Sequence, residues 1–263
     1  MSIMSGVTVE ASVLERDARS VAVITMAAAP ANALGDALVE SFSRALDEVE
    51  RADVRAVVIA SGLEAFFAAG GDLKLFAKLD AAGFDAYLTR VTNVIERLPA
   101  IGVPSIAAIE GQALGGGLEL ALACSLRVAG AGATMGTPEI KLGLLPGAGG
   151  TQRLTRLLGR AGAIDLLLAG RTVTAQEAER LGLVDRVTPA GAALDSALEL
   201  AFELASRPRL AVRAILRCVD AAAATTLVDG LAFEGREVRD LFATDDAHEG
   251  IAAFLERRTP RFE

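Results

Sequence analysis

Between Ile109 and Thr151 the chain reads IEGQALGGGLELALACSLRVAGAGATMGTPEIKLGLLPGAGGT. Glycines at 115, 116 and 117 leave peptide N–H groups bare enough for a ligand atom to touch them. A helix that starts there aims its unpaired donors and the positive end of its dipole at the same spot. Such a place suits a negative charge that develops on oxygen. Glu119 follows the glycines, and Glu139 stands in Thr137-Pro138-Glu139-Ile140, twenty positions later. Two carboxyl groups flanking one set of oxyanion donors make a proton-transfer site.

Each glutamate also has a plainer reading. An acid in the first turn of a helix is favoured by the dipole whatever its chemistry. Against that, Leu118, Leu120, Ala121, Leu122 and Ala123 surround Glu119 with apolar neighbours, so the helix is expected to be buried. A buried carboxylate must be paired, hydrogen-bonded or protonated. Glu139 has the weaker local case, because an acid after proline in a turn is often simply solvated.

The elements that must position these residues follow from periodicity. Residues 7–14 and 20–26 read as two strands of a hairpin with a polar turn at Glu15 to Ala18. From Asp36, apolar Leu38, Phe42, Ala45, Leu46 and Val49 recur at helical spacing, and a strand rich in β-branched residues spans 54–60. The loop Gly62 to Asp72 ends in Ala68-Ala69-Gly70-Gly71-Asp72, where Asp72 could cap a short helix. A helix over 83–98, ended by Pro99 and Pro104, leads to a strand at 105–109. Helices at 150–158 and 160–169 follow, then a capping box at Thr174 to Glu177 and a strand-like DRVTP. From Gly191 the pattern is almost all helix, at 191–206, 208–220, 225–243 and 245–257. The alternation predicts an α/β layered domain. With no flexible linker, the expected division is a core over 1–190 and a helical extension over 191–263 suited to oligomer contacts.

Composition narrows the classes. The 263 residues are 52% hydrophobic, enough for a sizeable core, and contain no Trp. A net charge of −8, with a pI near 4.9, argues against nucleic acid or an anionic membrane as partner. Lysines number three, Lys74, Lys78 and Lys141, against twenty-three arginines. Cys124 and Cys218 lie far apart and read as reduced thiols of a cytoplasmic protein. MSIMSGVTVE lacks the pattern of a targeting leader, and no apolar run reaches membrane-spanning length.

Other motifs fail. Neither glycine cluster completes GxGxxG, since the last position is Leu120 in one register and Gln152 in the other. There is no Walker A motif and no GxSxG elbow. One histidine, His248, and two distant cysteines make a zinc site improbable, and His248 reads as solvated.

ALGGGLELALACSLRVAG and GTPEIKLGLLPGAGGTQRLTRLLG closely resemble the crotonase (enoyl-CoA hydratase/isomerase) family. AFFAAGGDLKLF is similar to that family's first oxyanion segment, and FATDDAHEGIAAFLERRTPRF to its closing helix and tail. The resemblance implies a spiral of repeated ββα units with a helical C-terminal extension that builds trimers or dimers of trimers. It implies an acyl-CoA thioester substrate and no separate cofactor or metal. By motif, the backbone N–H groups of Gly71 and Gly116 would form the oxyanion hole, and Glu119 and Glu139 would be catalytic. CoA would lie along Ala31, Asn32, Ala69, Gly70, Asp72, Leu73 and Lys74. Many members have alanine at Gly71, aspartate at Ser125, and Gln or Leu at Thr137. Holding both glutamates favours an enoyl-CoA hydratase over an enoyl-CoA isomerase, or over a non-catalytic acyl-CoA-binding protein.

Overall fold

The computed structural model describes residues 6–262. The chain opens with strands β1 (Thr8–Arg16) and β2 (Arg19–Ala27), paired antiparallel. Their turn is Asp17-Ala18, both with left-handed φ (51° and 59°), the two-residue geometry that matches strand twist. Then come α1 (Asp36–Arg51), β3 (Ala56–Ser61), β4 (Phe66–Ala68), α2 (Leu73–Phe76), α3 (Ala81–Ile95) and α4 (Arg97–Ala100). The middle holds β5 (Ser105–Ile109), β6 (Gln112–Leu114), α5 (Gly116–Ala123), β7 (Leu126–Gly130), β8 (Thr134–Gly136) and a 3-10 turn (Pro138–Leu142). The rest is α6 (Gly150–Ala169), β9 (Thr172–Thr174), α7 (Ala175–Leu181), β10 (Arg186–Thr188), α8 (Ala193–Ala205), α9 (Arg209–Ala222), α10 (Leu227–Phe242) and α11 (Asp245–Glu256).

Two sheets organise these elements. The larger has the order β1-β2-β3-β5-β7-β10 and is parallel except for the opening hairpin. The smaller has the order β4-β6-β8-β9, with β9 antiparallel. Each passage of the chain adds one strand to the larger sheet and the next to the smaller: β3 then β4, β5 then β6, β7 then β8. This is the spiral of ββα units.

The predicted core face of α1 is inside: Leu38, Phe42, Ala45, Leu46 and Val49 are all buried. Gly159 (φ 71°, ψ 168°) bends α6 between the two helices expected there. Thr174 Oγ1 accepts the Glu177 N–H and caps α7. Three details differ from the sequence reading. The loop 62–72 contains strand β4; the helix expected over 83–98 is two helices; and Pro99 lies within α4, in a first turn where a missing N–H costs nothing. On α8, Ala193, Ala197, Ala201 and Ala205 form a stripe of spacing four, buried against the larger sheet. Packing therefore places α8 with the core, although it follows the expected boundary at residue 190. Helices α9 to α11 bury little within the chain, and Ile215, Val219, Leu227, Val228, Phe254 and Leu255 are exposed on them.

Candidate active site

The two glycine-bearing segments meet where β4 and α5 touch. A Cβ on Gly117 would overlap the Ala68 carbonyl oxygen, so only glycine lets the start of α5 rest on the strand. That contact brings the two backbone donors together. A Cβ on Gly116 would stand 3.7 Å from the Gly71 nitrogen, and one on Gly70 would stand 3.1 Å from the Gly116 nitrogen. Both Gly71 and Gly116 line a cavity of about 260 Å³, together with Glu119 and Glu139.

Glu119 is buried (3% exposed) on an α5 that is buried from Gly117 to Ala123. Its carboxylate does not serve its own helix N-terminus. Oε1 instead accepts the backbone N–H groups of Ala148 and Gly150, each at 2.7 Å, in the turn before α6. Burial raises its pKa, while those two hydrogen bonds and the charge of Arg153 pull it back.

Glu139 sits in the first turn of the 3-10 helix, with Pro138 before it. Its Oε1 lies against Gly115, where φ is +51° and any side chain would collide with the carboxyl group. Oε2 is buried without a hydrogen-bond partner among the described residues, as is Thr137 Oγ1. Burial first, then the charge of Glu119, push the Glu139 carboxyl up to about 7. The turn itself has no buried residue, yet it folds one Glu139 oxygen out of solvent, and the acid is poised to gain or lose a proton near neutral pH.

The candidate CoA positions divide. Ala69, Gly70 and Leu73 line the cavity. Lys74 is exposed on α2, and Ala31 is half-buried, its carbonyl accepting the Ala69 N–H at 2.9 Å. The Asp72 side chain is occupied as the cap of α2, accepting from Lys74 and Leu75 N–H. The Asn32 side chain does not reach the cavity. It is fully buried, its Oδ1 accepting from Ala28 N–H and its Nδ2 donating to Ser61 Oγ and to the Met26 and Phe67 carbonyls. Asn32 therefore pins the ends of β2, β3 and β4 together.

Two features escaped the sequence reading. An aromatic wall lines the cavity: Phe76 stands edge-on to Phe84 (5.2 Å) and to Tyr87 (4.9 Å). The Phe76 ring occupies the place that a Cβ on Gly71 would take. Arg153 of α6 clasps the turn that holds Glu119, donating to Ala148 O at 3.2 Å and to Glu96 at 2.7 Å. The helical spacing of Phe84 and Tyr87 marks a buried face; nothing local marks Arg153.

The sequence model of the enoyl-CoA hydratase/isomerase family matches residues 16–263. The chain belongs to the enoyl-CoA hydratase/isomerase family. It is 43% identical over 257 residues to a probable enoyl-CoA hydratase of Mycobacterium tuberculosis, covering 97% of this chain and 98% of that one. It is 42% identical to the 2,3-dehydroadipyl-CoA hydratase of Escherichia coli, covering 88% and 90%. Among solved structures, an enoyl-CoA hydratase from Bacillus anthracis superposes with a TM-score of 0.89 at 36% identity, covering 96% and 98%. DspI of Pseudomonas aeruginosa superposes with a TM-score of 0.91 at 36% identity over the whole of both chains.

The departures from the family pattern have local explanations. Ser125 replaces a common aspartate, and Ser125 and Ser105 bond reciprocally: Ser105 Oγ accepts the Ser125 N–H at 3.0 Å, and Ser125 Oγ accepts the Ser105 N–H at 3.2 Å. The pair ties the start of β5 to the end of α5. Gly71, at a position where the resemblance makes alanine common, leaves room for the Phe76 ring. No helix among the described residues is long and apolar enough to cross a membrane.

Proposed function

We propose that the protein is an enoyl-CoA hydratase, adding water reversibly across the α,β double bond of a trans-2-enoyl-CoA to give a 3-hydroxyacyl-CoA. The observation that carries this reading is the single cavity lined by both carboxyl groups and by Gly71 and Gly116. Its lining is otherwise almost wholly apolar, so charge developing inside it is sensed strongly.

Ionised Glu119, held by Ala148 and Gly150 N–H, takes a proton from water as the water oxygen attacks the β-carbon. The electrons of the double bond pass to the thioester oxygen, where the N–H groups of Gly71 and Gly116 hold the enolate. Protonated Glu139 then delivers its proton to the α-carbon, which gives the saturated product. Overall one water is added, and a proton passing from Glu119 back to Glu139 resets the pair. Glu139 can play donor because burial and the Glu119 charge keep it protonated up to about pH 7. CoA would run past Ala31, Ala69, Gly70, Leu73 and Lys74, and a homotrimer or dimer of trimers is the proposed assembly.

An assay tests this directly: loss of the conjugated thioester absorbance with crotonyl-CoA and longer trans-2-enoyl-CoA esters, with the product identified as the 3-hydroxyacyl-CoA. No absorbance loss on any of them, in protein shown to bind CoA esters, would overturn the reading.

A further inference from the structure

Building on the hydratase reading, we propose that the acyl pocket selects enoyl-CoA esters with an uncharged acyl chain and rejects those that end in a carboxylate. The cavity has three ionisable groups in its lining, Glu119, Glu139 and Tyr87, and no Lys, Arg or His among the described residues that form it. None of the three can receive an anion well. The glutamates carry or gain negative charge, and the Tyr87 hydroxyl, buried, already donates to Leu34 O at 2.8 Å. Arg153, whose charge reaches Glu119, is engaged by Glu96 and Ala148 O and does not line the cavity.

Elsewhere the lining is hydrocarbon. Phe76 packs edge-on against Phe84 and Tyr87, with interplanar angles of 85° and 73°, so ring edges and faces form a stiff wall. Leu142, Leu144 and Leu145 add an apolar lip, 40–66% exposed. A methylene chain passing between wall and lip removes apolar surface from water on both sides. A terminal carboxylate there would lie among hydrocarbon with no cationic side chain in the lining and near the Glu119 charge. It could enter only by taking up a proton. At pH 7.5 that lies about three units above the ordinary carboxylic value, so the penalty is at most about a thousandfold.

Three saturated CoA esters of one backbone length test the proposal by titration calorimetry at pH 7.5: hexanoyl-CoA, adipyl-CoA and the adipyl-CoA monomethyl ester. The CoA portion is common, so differences read the acyl end alone. Expected is adipyl-CoA binding at least about a hundredfold more weakly than hexanoyl-CoA, with the methyl ester within about tenfold of hexanoyl-CoA. Adipyl-CoA within tenfold of hexanoyl-CoA overturns the proposal, as does a methyl ester bound as weakly as the acid, which would make size the discriminator. Hydration of trans-2-hexenoyl-CoA and 2,3-dehydroadipyl-CoA is measured in parallel. Should neither be hydrated while the binding ratios hold, the selectivity stands and the hydratase reading falls.

Discussion

Gly150 both holds and hems in Glu119: its N–H donates to Oε1 at 2.7 Å, and a Cβ at that position would stand 3.0 Å from the same oxygen. The carboxylate is therefore placed by backbone of another segment, which engages Oε1 twice. A helix-dipole residue would need none of this.

Glu119→Gln should separate the two carboxyl roles. Glutamine keeps the size of the side chain and its carbonyl can still accept from Ala148 and Gly150, but it takes no proton. Hydration of crotonyl-CoA is expected to fall by about a hundred- to ten-thousandfold. Exchange of the α-hydrogens of a saturated acyl-CoA with deuterated solvent, which needs only Glu139 and the oxyanion donors, should persist. Near wild-type hydration by a folded variant that binds CoA esters would move the isomerase reading ahead.

Glu139 gives opposite pH limbs to two reactions at one residue. Hydration needs its protonated form, so kcat/KM should fall as pH rises above about 7, while α-hydrogen exchange, which begins with the ionised form, should rise through the same pH. Stability carries the same signature. A folded pKa of about 7, above the ordinary 4.5, means the native state binds more protons between those values, so stability falls as pH rises from 4.5 to 7. Glu139→Gln removes the ionisation. Its Tm should exceed that of the wild type at pH 8 and approach it at pH 5, by scanning calorimetry, with both reactions lost.

Substitutions at the oxyanion donors should act through space, not through the donors' chemistry. In Gly116→Val the new side chain meets Leu34, already 3.0 Å from a Cβ, and stands beside Gly71 N. Turnover should drop by at least about a hundredfold, as on losing one oxyanion donor. Gly71→Ala is a different case, because the nearest atoms its Cβ would meet all belong to the Phe76 ring. Activity lost in Gly71→Ala should return in part in Gly71→Ala/Phe76→Leu. Additive losses in the double variant, measured as kcat/KM, would refute that coupling.

The C-terminal helices should be interfaces. Leu227 and Val228 of α10 are 79% and 76% exposed, and Phe254 and Leu255 of α11 are 83% and 75% exposed. Large apolar groups clustered on unpartnered helices mark association surfaces. Light scattering at micromolar concentration should give three or six chain masses, and a mass of one chain would exclude the proposed assembly.

Long periodic elements were legible in the sequence because burial imposes their period. The face of α1, the strand at 105–109 and the bend at Gly159 follow from apolar spacing and one glycine. β4, β6, β8 and β9 were not legible, since three residues each are too few to show a period. Of the candidate site, Glu119, Glu139 and the glycine segments were singled out by residue type and resemblance. Their mutual placement depends on contacts between segments far apart in the chain. So does the reassignment of Asn32 and the part played by Phe76, whose meaning lies in the missing Cβ of Gly71. Arg153 looked like any arginine on a helix, because both its partners come from other elements.

Helix α6 touches both carboxyl-bearing segments, α5 and the 3-10 turn. Its first turn supplies Gly150 N–H to Glu119, while Gly170, which closes it, rests against Ile140 and Lys141, next to Glu139. Between these ends lies the bend at Gly159, whose φ of 71° suits glycine. One bent helix thus braces both carboxyl-bearing segments while carrying neither carboxyl group. The bend itself is exposed, and a Cβ on Gly159 would meet no other atom, so the left-handed φ alone calls for glycine there.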